Sequence, residues 1–157
     1  MGVEIERKFL VRGDAWRASA GPASHYVQGY LCSDPDRTVR VRLAGDAAWL
    51  TIKGRGTGVS RPEFEYLVPP DDARALLALC LPGGVDKLRY RVPVGAHVFE
   101  VDVFQGAHAG LVLAEVELGD EAETFERPDW LGAEVTADRR YANSALASRP
   151  GVPGKTE

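Results

Sequence analysis

Glu4, Glu6 and Lys8 alternate along VEIERKFLV near the N-terminus, and the same spacing of two recurs through the chain. Arg40 and Arg42 stand at i and i+2, as do Glu63 and Glu65, Lys87, Arg89 and Arg91, Glu100 and Asp102, and Glu115 and Glu117. Lys53 alternates with Trp49 and Thr51. Successive side chains of an extended strand point to opposite faces, so each of these sets shares a face. The residues between them are apolar: Val39, Val41 and Leu43; Phe64, Tyr66 and Val68; Phe99, Val101 and Val103. A wet face opposite a core face explains the alternation. It does not explain why the polar faces hold so little Ser, Thr, Asn or Gln, or why acids and bases segregate by strand. Two carboxylates at i and i+2 lie about 7 Å apart and repel, so repeating that arrangement calls for cations. Carboxylate oxygens suit hard ions such as Mg²⁺ or Mn²⁺. Arg suits phosphate oxygens by bidentate hydrogen bonding and Lys as a point charge.

The dominant period of two predicts strands over Val3–Val11, His25–Cys32, Arg37–Leu43, Ala48–Lys53, Arg61–Val68, Asp86–Val94, Val98–Phe104 and Leu111–Leu118. Clusters such as Ser33-Asp34-Pro35-Asp36 and Gly45-Asp46 mark turns between them. Pro69-Pro70-Asp71-Asp72 opens a helix with an apolar stripe at Ala73, Leu76, Leu77 and Cys80, and Pro82-Gly83-Gly84 stops it. The chain from Asp120 reads as helical and irregular, with a helix over Ala137–Leu146 capped by Thr136. Short connections between eight strands predict a mainly β, all-antiparallel sheet closed into a barrel, flanked by a few helices. A dry barrel core cannot hold so many charges, but a water-filled tunnel for polyphosphate and divalent ions can. The apolar faces then point outward, to be covered by the helices or by a second copy of the chain in a homodimer.

At 157 residues the chain has the size of one domain, expected over 1–148 with a loose Pro/Gly-rich tail over 149–157. The net charge of -4 gives no bulk attraction to nucleic acid or to anionic membranes. No apolar run approaches the roughly 20 residues of a membrane span, and the charged MGVEIERKFL start does not read as an export signal, so a cytoplasmic location is expected. Cys32 and Cys80 read as reduced packing thiols, and His25, His97 and His108 form no zinc-type pair.

The whole ordered series resembles the CYTH superfamily, also called triphosphate tunnel metalloenzymes, and within it the short bacterial inorganic triphosphatase-like members. Their E-x-E-x-K signature stands here as Glu4, Glu6 and Lys8. The later signatures follow in order at Arg40/Arg42, Thr51/Lys53, Glu63/Glu65, Lys87/Arg89/Tyr90, Glu100/Asp102 and Glu115/Glu117. The resemblance runs from Val3 to about Leu146 and includes Gln28-Gly-Tyr30-Leu31. It implies an eight-stranded tunnel that binds triphosphate through bases and metal, Mg²⁺ or Mn²⁺ and two ions in catalysis, through acids. Glu4, Glu6 and Glu117, then Glu115 and Asp102, are the implied metal ligands. Lys8, Arg40, Arg42, Lys53, Lys87 and Arg89 are the implied triphosphate-binding residues. Glu4, Glu6, Lys8 and Tyr30 carry the catalytic expectation, Tyr30 as a donor near Lys8. Glu63, Glu65 and Glu100 are expected to support it by orienting bases or waters. The implied reaction is hydrolysis of the terminal phosphoanhydride of tripolyphosphate or a similar small triphosphate. Class IV adenylyl cyclase, thiamine triphosphatase and a non-enzymic polyphosphate- or nucleotide-binding module are the alternatives. A cyclase needs a base-recognition pocket, which the sequence does not identify, and the chain is short for that branch.

Overall fold

A computed structural model describes residues 2–154. Nine strands form one antiparallel sheet: β1 (Val3–Val11), β2 (Ser24–Asp34), β3 (Arg37–Ala44), β4 (Ala47–Gly54), β5 (Ser60–Val68), β6 (Val85–Val94), β7 (His97–Phe104), β8 (Val112–Glu117) and β9 (Leu131–Glu134). The order is β5-β4-β3-β2-β6-β7-β8-β1-β9, and a β5–β1 pairing closes the first eight into a barrel. Tight turns at Gly45 and Gly95 join β3 to β4 and β6 to β7, and both glycines have positive φ.

The closing seam is short. Val3, Glu4 and Ile5 of β1 face Pro62, Arg61 and Ser60 of β5. The other edge of β1 pairs with β8, placing Glu6 opposite Glu117 and Lys8 opposite Glu115. β9 then takes the remaining edge of β1 at Phe9 and Val11. β9 lies in the stretch expected to be helical. Its Leu131-Gly-Ala-Glu sequence carries no β-branched residue, and only the edge left open past the seam draws it into the sheet.

Closure puts the charged faces inside, as the alternation requires. Apolar outer faces are covered by local pieces of chain. Helix α1 (Pro70–Ala78) lies over β2, β3 and β4, where Ala73 packs with Val41, Ala48, Leu50 and Leu76. Pro70 and the acidic Asp71 and Asp72 suit its first turn, where backbone N–H groups lack partners. The end of α1 packs so close to β2 that a Cβ on Gly29 would stand 3.0 Å from Cys80 Sγ. Trp16, on a 3₁₀ turn at Ala15–Ser19, and Trp130 cover Phe9, Phe99, Val101 and Val116 on the opposite side.

The interior is not charged throughout. Tyr30, Val85, Phe104, Leu111 and Leu113 share the inward parity of the charged residues, yet they form an apolar cluster with Tyr141, Leu146 and Ala147. The helix expected over Ala137–Leu146 is instead a 3₁₀ turn (Arg139–Tyr141) followed by α2 (Asn143–Ser148). Thr136 does not cap it. Its hydroxyl accepts from the Lys8 N–H at 2.9 Å and donates to Glu134 at 2.6 Å, which extends the β9 side of β1. Asp138 accepts from the N–H of Arg140 at the turn that follows.

The segment expected to be a loose tail is tied down as far as Pro153. Gly151 N–H donates to Ala107 O, Tyr141 Oη donates to Pro153 O, and buried His108 bonds the carbonyls of Leu146 and Arg149. Residues 155–157 of that expected tail lie outside the described residues.

Gly83 ties α2 to the rest. Its φ is 101°, and a Cβ there would run into the carbonyl of Ala147, which also accepts from Gly84 N–H at 2.9 Å. Gly83→Ala is expected to cost about 3 kcal/mol, from left-handed strain and this clash. Thermal unfolding should read roughly a 10 °C fall in Tm. A Tm within about 2 °C of the parent would show that α2 is not held this way.

Candidate active site

Within the barrel the inward side chains surround a cavity of about 270 Å³. It opens past Glu4, Glu6, Lys8 and Lys53 into a wider mouth of about 570 Å³, edged by Arg37, the Gly54–Gly58 connection and Arg139. Glu4, Glu6 and Lys8 come from β1, Arg40 and Arg42 from β3, and Lys53 from β4. Glu63 and Glu65 come from β5, Arg89 from β6, Glu100 from β7, and Glu115 and Glu117 from β8. Tyr30 also lines the cavity, with its body in the apolar cluster at the closed end. The structure therefore brings together every site residue expected from the sequence except two.

Those two are Lys87 and Asp102. They sit behind the cavity wall, 0% and 2% exposed. Both oxygens of Asp102 are taken: Arg89 donates Nε at 2.7 Å and Nη2 at 2.8 Å, and Lys87 Nζ stands 2.8 Å away. Lys87 also donates to Asn143 Oδ1 at 3.0 Å. Asp102 is therefore not placed as a metal ligand, nor Lys87 as a direct substrate contact. Period two identified the face correctly but cannot tell the front of a packed layer from its back. Burial, opposed by Asp102 and reinforced by Arg89, pulls the Lys87 ammonium down to about 7.

Ion pairs neutralise most of the remaining charge. Lys53 Nζ stands 2.8 Å from Glu4, and Arg61 Nε 3.1 Å from it. Glu115 lies 3.4 Å from Lys8 Nζ and 3.2 Å from Arg89 Nη2. Burial pushes the Glu115 carboxyl up, but Lys8 and Arg89 outweigh it and hold it well below the ordinary range. Burial likewise opposes charge on Lys8, yet Glu115 and Glu6 keep its ammonium above the ordinary lysine value. Lys8 also donates to Tyr141 O at 3.0 Å, which fixes it against the apolar cluster that Tyr141 joins.

Of the charged side chains that line the cavity, three have no ion-pair partner among the described residues: Glu6, Glu117 and Arg42. Burial and the charges of Glu115 and Glu4 push Glu6 well above the usual carboxylate range. Burial, Glu4, Glu63 and Glu100 raise Glu117. Burial, Arg40 and Arg89 pull Arg42 down to about 10. Neighbouring Arg40 leaves its buried Nε without a partner. The cavity thus has a pole of surplus carboxylate at Glu6 and Glu117 and a pole of surplus guanidinium at Arg42, beside Arg40, whose carboxylate partner Glu65 stands 3.6 Å away.

Among the described residues no three acidic, His or Cys side chains already converge to hold an ion. The acidic pole nonetheless fits a divalent metal. Its donors are hard oxygens, and burial and neighbouring carboxylates raise both Glu6 and Glu117, which no Lys or Arg pairs with directly among the described residues.

Tyr26, Arg61 and Asn143 also line the cavity and Gln28 bonds to its wall; none was assigned a site role from the sequence, although Gln28 stands in the Gln28-Gly-Tyr30-Leu31 segment. Gln28 Oε1 accepts from Arg42 Nε at 2.9 Å, and its Nε2 donates to Asn143 at 3.3 Å. Tyr26 and Gln28 share a strand face with Tyr30, and Arg61 shares one with Glu63, so the period of two held that signal. Nothing local marks Asn143, which α2 delivers from the end of the chain. His97, paired with Glu123, and the exposed Arg91 and Arg140 stand away from the cavity.

A closed antiparallel barrel whose cavity is lined by opposed acids and bases defines a tunnel-type barrel with a charged interior. The CYTH domain profile matches residues 2–148, and the chain belongs to that family. It is 48% identical over 151 residues to an inorganic triphosphatase of Acetivibrio thermocellus, covering 96% of each chain. It is 40% identical over 149 residues to an inorganic triphosphatase of Nitrosomonas europaea, covering 92% of this chain and 96% of the relative. A solved structure of an inorganic triphosphatase superposes with a TM-score of 0.66 at 35% identity, over 94% of this chain and 99% of the other. A putative adenylyl cyclase from Hippeastrum, described as having a dominant triphosphatase activity, shares the fold at TM-score 0.60 and 14% identity, over 74% of this chain and 80% of the other.

The buried Asp102 pair sets a stability prediction. Asp102→Asn leaves Arg89 and Lys87 short of a buried counter-charge and is expected to cost about 3–5 kcal/mol. Glu65→Gln, at the half-exposed Arg40 pair, should cost less than about 1 kcal/mol. Urea unfolding of both variants checks the contrast, and equal losses would mean that Asp102 carries no special share.

Proposed function

We infer that this chain is an inorganic triphosphatase, a phosphohydrolase that cleaves the terminal phosphoanhydride of tripolyphosphate or a similar small triphosphate. The observation that carries this reading is the separation of surplus charge in one cavity, with Arg42, beside Arg40, at one pole and Glu6 and Glu117 at the other. The two relatives named as inorganic triphosphatases support the substrate class.

Arg40, Arg42, Lys53 and Arg89 bind and orient the phosphate oxygens. Glu6 and Glu117, which have no ion-pair partner among the described residues, are the residues that would hold Mg²⁺ or Mn²⁺, two ions during catalysis. Glu4 and Glu115 would join them by giving up their contacts with Lys53 and Arg61 and with Lys8 and Arg89. When bound, the cation supplies neutralisation of phosphate charge and activation of water. Lys8, pinned between Glu115 and the Tyr141 carbonyl, offsets charge on the departing pyrophosphate, with Tyr30 beside it at the closed end. Water adds to the terminal phosphorus as the bridging P–O bond breaks, giving orthophosphate and pyrophosphate. Glu63, raised by burial and by Glu4, accepts the proton that water loses. Glu65 and Glu100 hold Arg40 and Arg89 in line. We place this work in one functional unit over 1–148, in the cytoplasm, with neither nucleic acid nor membrane as a partner. No helix of the described residues is long and apolar enough to cross a membrane.

Incubation with tripolyphosphate, thiamine triphosphate or ATP, each with Mg²⁺ or Mn²⁺, should release orthophosphate first and fastest from tripolyphosphate. Cyclic AMP from ATP would establish the cyclase reading instead, and tight binding without turnover the non-enzymic one. Glu6→Gln should lower metal-dependent turnover by more than about 100-fold. In chelator the same variant should melt no lower than the parent, because it removes a buried, repelled carboxylate. Near-normal activity would sink the metal-ligand assignment.

The β5 stave suits self-association. Past Glu63 its edge pairs with no described strand, and Phe64, Tyr66 and Leu67 are exposed beside it. An antiparallel β5–β5 pairing across a two-fold axis would satisfy that edge and cover those side chains. Sedimentation should then read a dimer that Tyr66→Lys converts to monomer, whereas a monomeric parent protein would rule the pairing out.

A further inference from the structure

β2 lies between the basic strands β3 and β6, and its inward Tyr26 meets a guanidinium from each. The guanidinium carbon of Arg42 stands 4.6 Å from the ring centroid and that of Arg89 stands 5.1 Å from it. Arg89 is anchored by Asp102 and Glu115, but Arg42 has only Gln28 to hold it. Two like charges this close would separate if nothing intervened. An aromatic face carries negative potential and attracts both. Tyr26 lines the cavity, and its phenol makes no hydrogen bond among the described residues, so the ring itself is what the neighbouring cations use.

We propose that Tyr26 is a positioning residue, whose ring holds Arg42 and Arg89 together as a preset pair for adjacent phosphate groups. The identity of the anion rests on the triphosphatase reading, whereas the pairing rests on the ring and the two guanidiniums. Without the ring, Arg42 would swing from its like-charged neighbour and the anion would have to gather it back, which weakens binding before it slows chemistry. A ring that merely fills space predicts something different: any apolar side chain of similar size would serve.

The test compares Tyr26→Phe, which keeps the aromatic face, with Tyr26→Leu and Tyr26→Met, which fill the space without it. Titration calorimetry of metal-free protein with inorganic tripolyphosphate should find the Phe variant within about twofold of the parent and the Leu and Met variants about tenfold weaker. Steady-state rates with Mg²⁺ should show the same order in KM, with kcat within about threefold. Thermal melting checks folding, and if the Leu variant fails to fold, the Met-to-Phe comparison decides. Parent-like binding by the apolar variants overturns the proposal. So does a Phe variant as weak as they are, which would assign the effect to the hydroxyl. Absence of metal-free binding by all four also counts against it, since a preset pair of cations attracts the anion unaided. A parent protein that binds in the expected order yet releases no orthophosphate would instead sink the triphosphatase reading and leave the positioning role standing.

Discussion

A charged barrel interior can fold only if most of its charges find partners as water leaves, and the pairing of Asp102 with Arg89 and Lys87 is where that condition is met most deeply. A lone buried ion costs several kcal/mol, more than a domain can bear repeatedly. Here register supplies the answer. Arg89 on β6 stands directly across from Asp102 on β7, so the pair forms as the two strands align. Arg89 also reaches Glu100 and Glu115, which ties β8 to the same centre. Lys8 extends the chain of pairs to β1, and Glu4 extends it across the seam to Lys53 on β4. Electrostatic pairing and strand order therefore enforce each other around most of the barrel.

The apolar cluster at one end does the complementary work. Tyr30, Phe104 and Leu113 fill the inside there, and Tyr141 and Leu146 close over them. That closure gives the charged layer a floor, so the cavity is approached from its wider mouth. It also carries polar groups to the right depth. The Tyr141 carbonyl receives Lys8, and Asn143 receives both Lys87 and Gln28. The 3₁₀ turn at Arg139–Tyr141 and α2 thus add polar groups to a cavity wall that the first strand begins.

Strand positions, barrel closure and most of the cavity wall were legible because one signal, alternation with period two, governs all of them. Glu4, Arg42 or Glu117 could be assigned to the interior with no knowledge of the neighbouring strand. Depth was not legible. Asp102 and Lys87 obey the same parity as Glu100 and Arg89, and only the packing of β6, β7 and α2 sends them behind the wall. β9 was missed for a related reason. Its partner edge exists because β5 releases β1 after Ile5, a fact of closure that no local propensity encodes. The segment around α2 reads as one helix by composition, but Arg139–Tyr141 tightens into a separate turn where it meets β1.

Given how far pairing extends, the places where it stops are informative. Glu6 and Glu117 face each other across β1 and β8 with no Lys or Arg paired to either among the described residues, while Arg42 has an amide and an aromatic ring in place of a carboxylate. Selection for stability alone would place a lysine opposite Glu6, as it does opposite Glu115. Leaving both poles open costs folding energy, and it keeps each pole from being cancelled by the protein itself. On the triphosphatase reading, a triphosphate with its metal would carry both charges in one ligand, negative oxygens for Arg42 and Arg40 and a divalent cation for Glu6 and Glu117. Binding would then complete the network that the protein leaves unfinished, with donors already fixed and little reorganisation left to make. The paired majority of the charges sets the geometry, and the unpaired minority sets what the geometry is for.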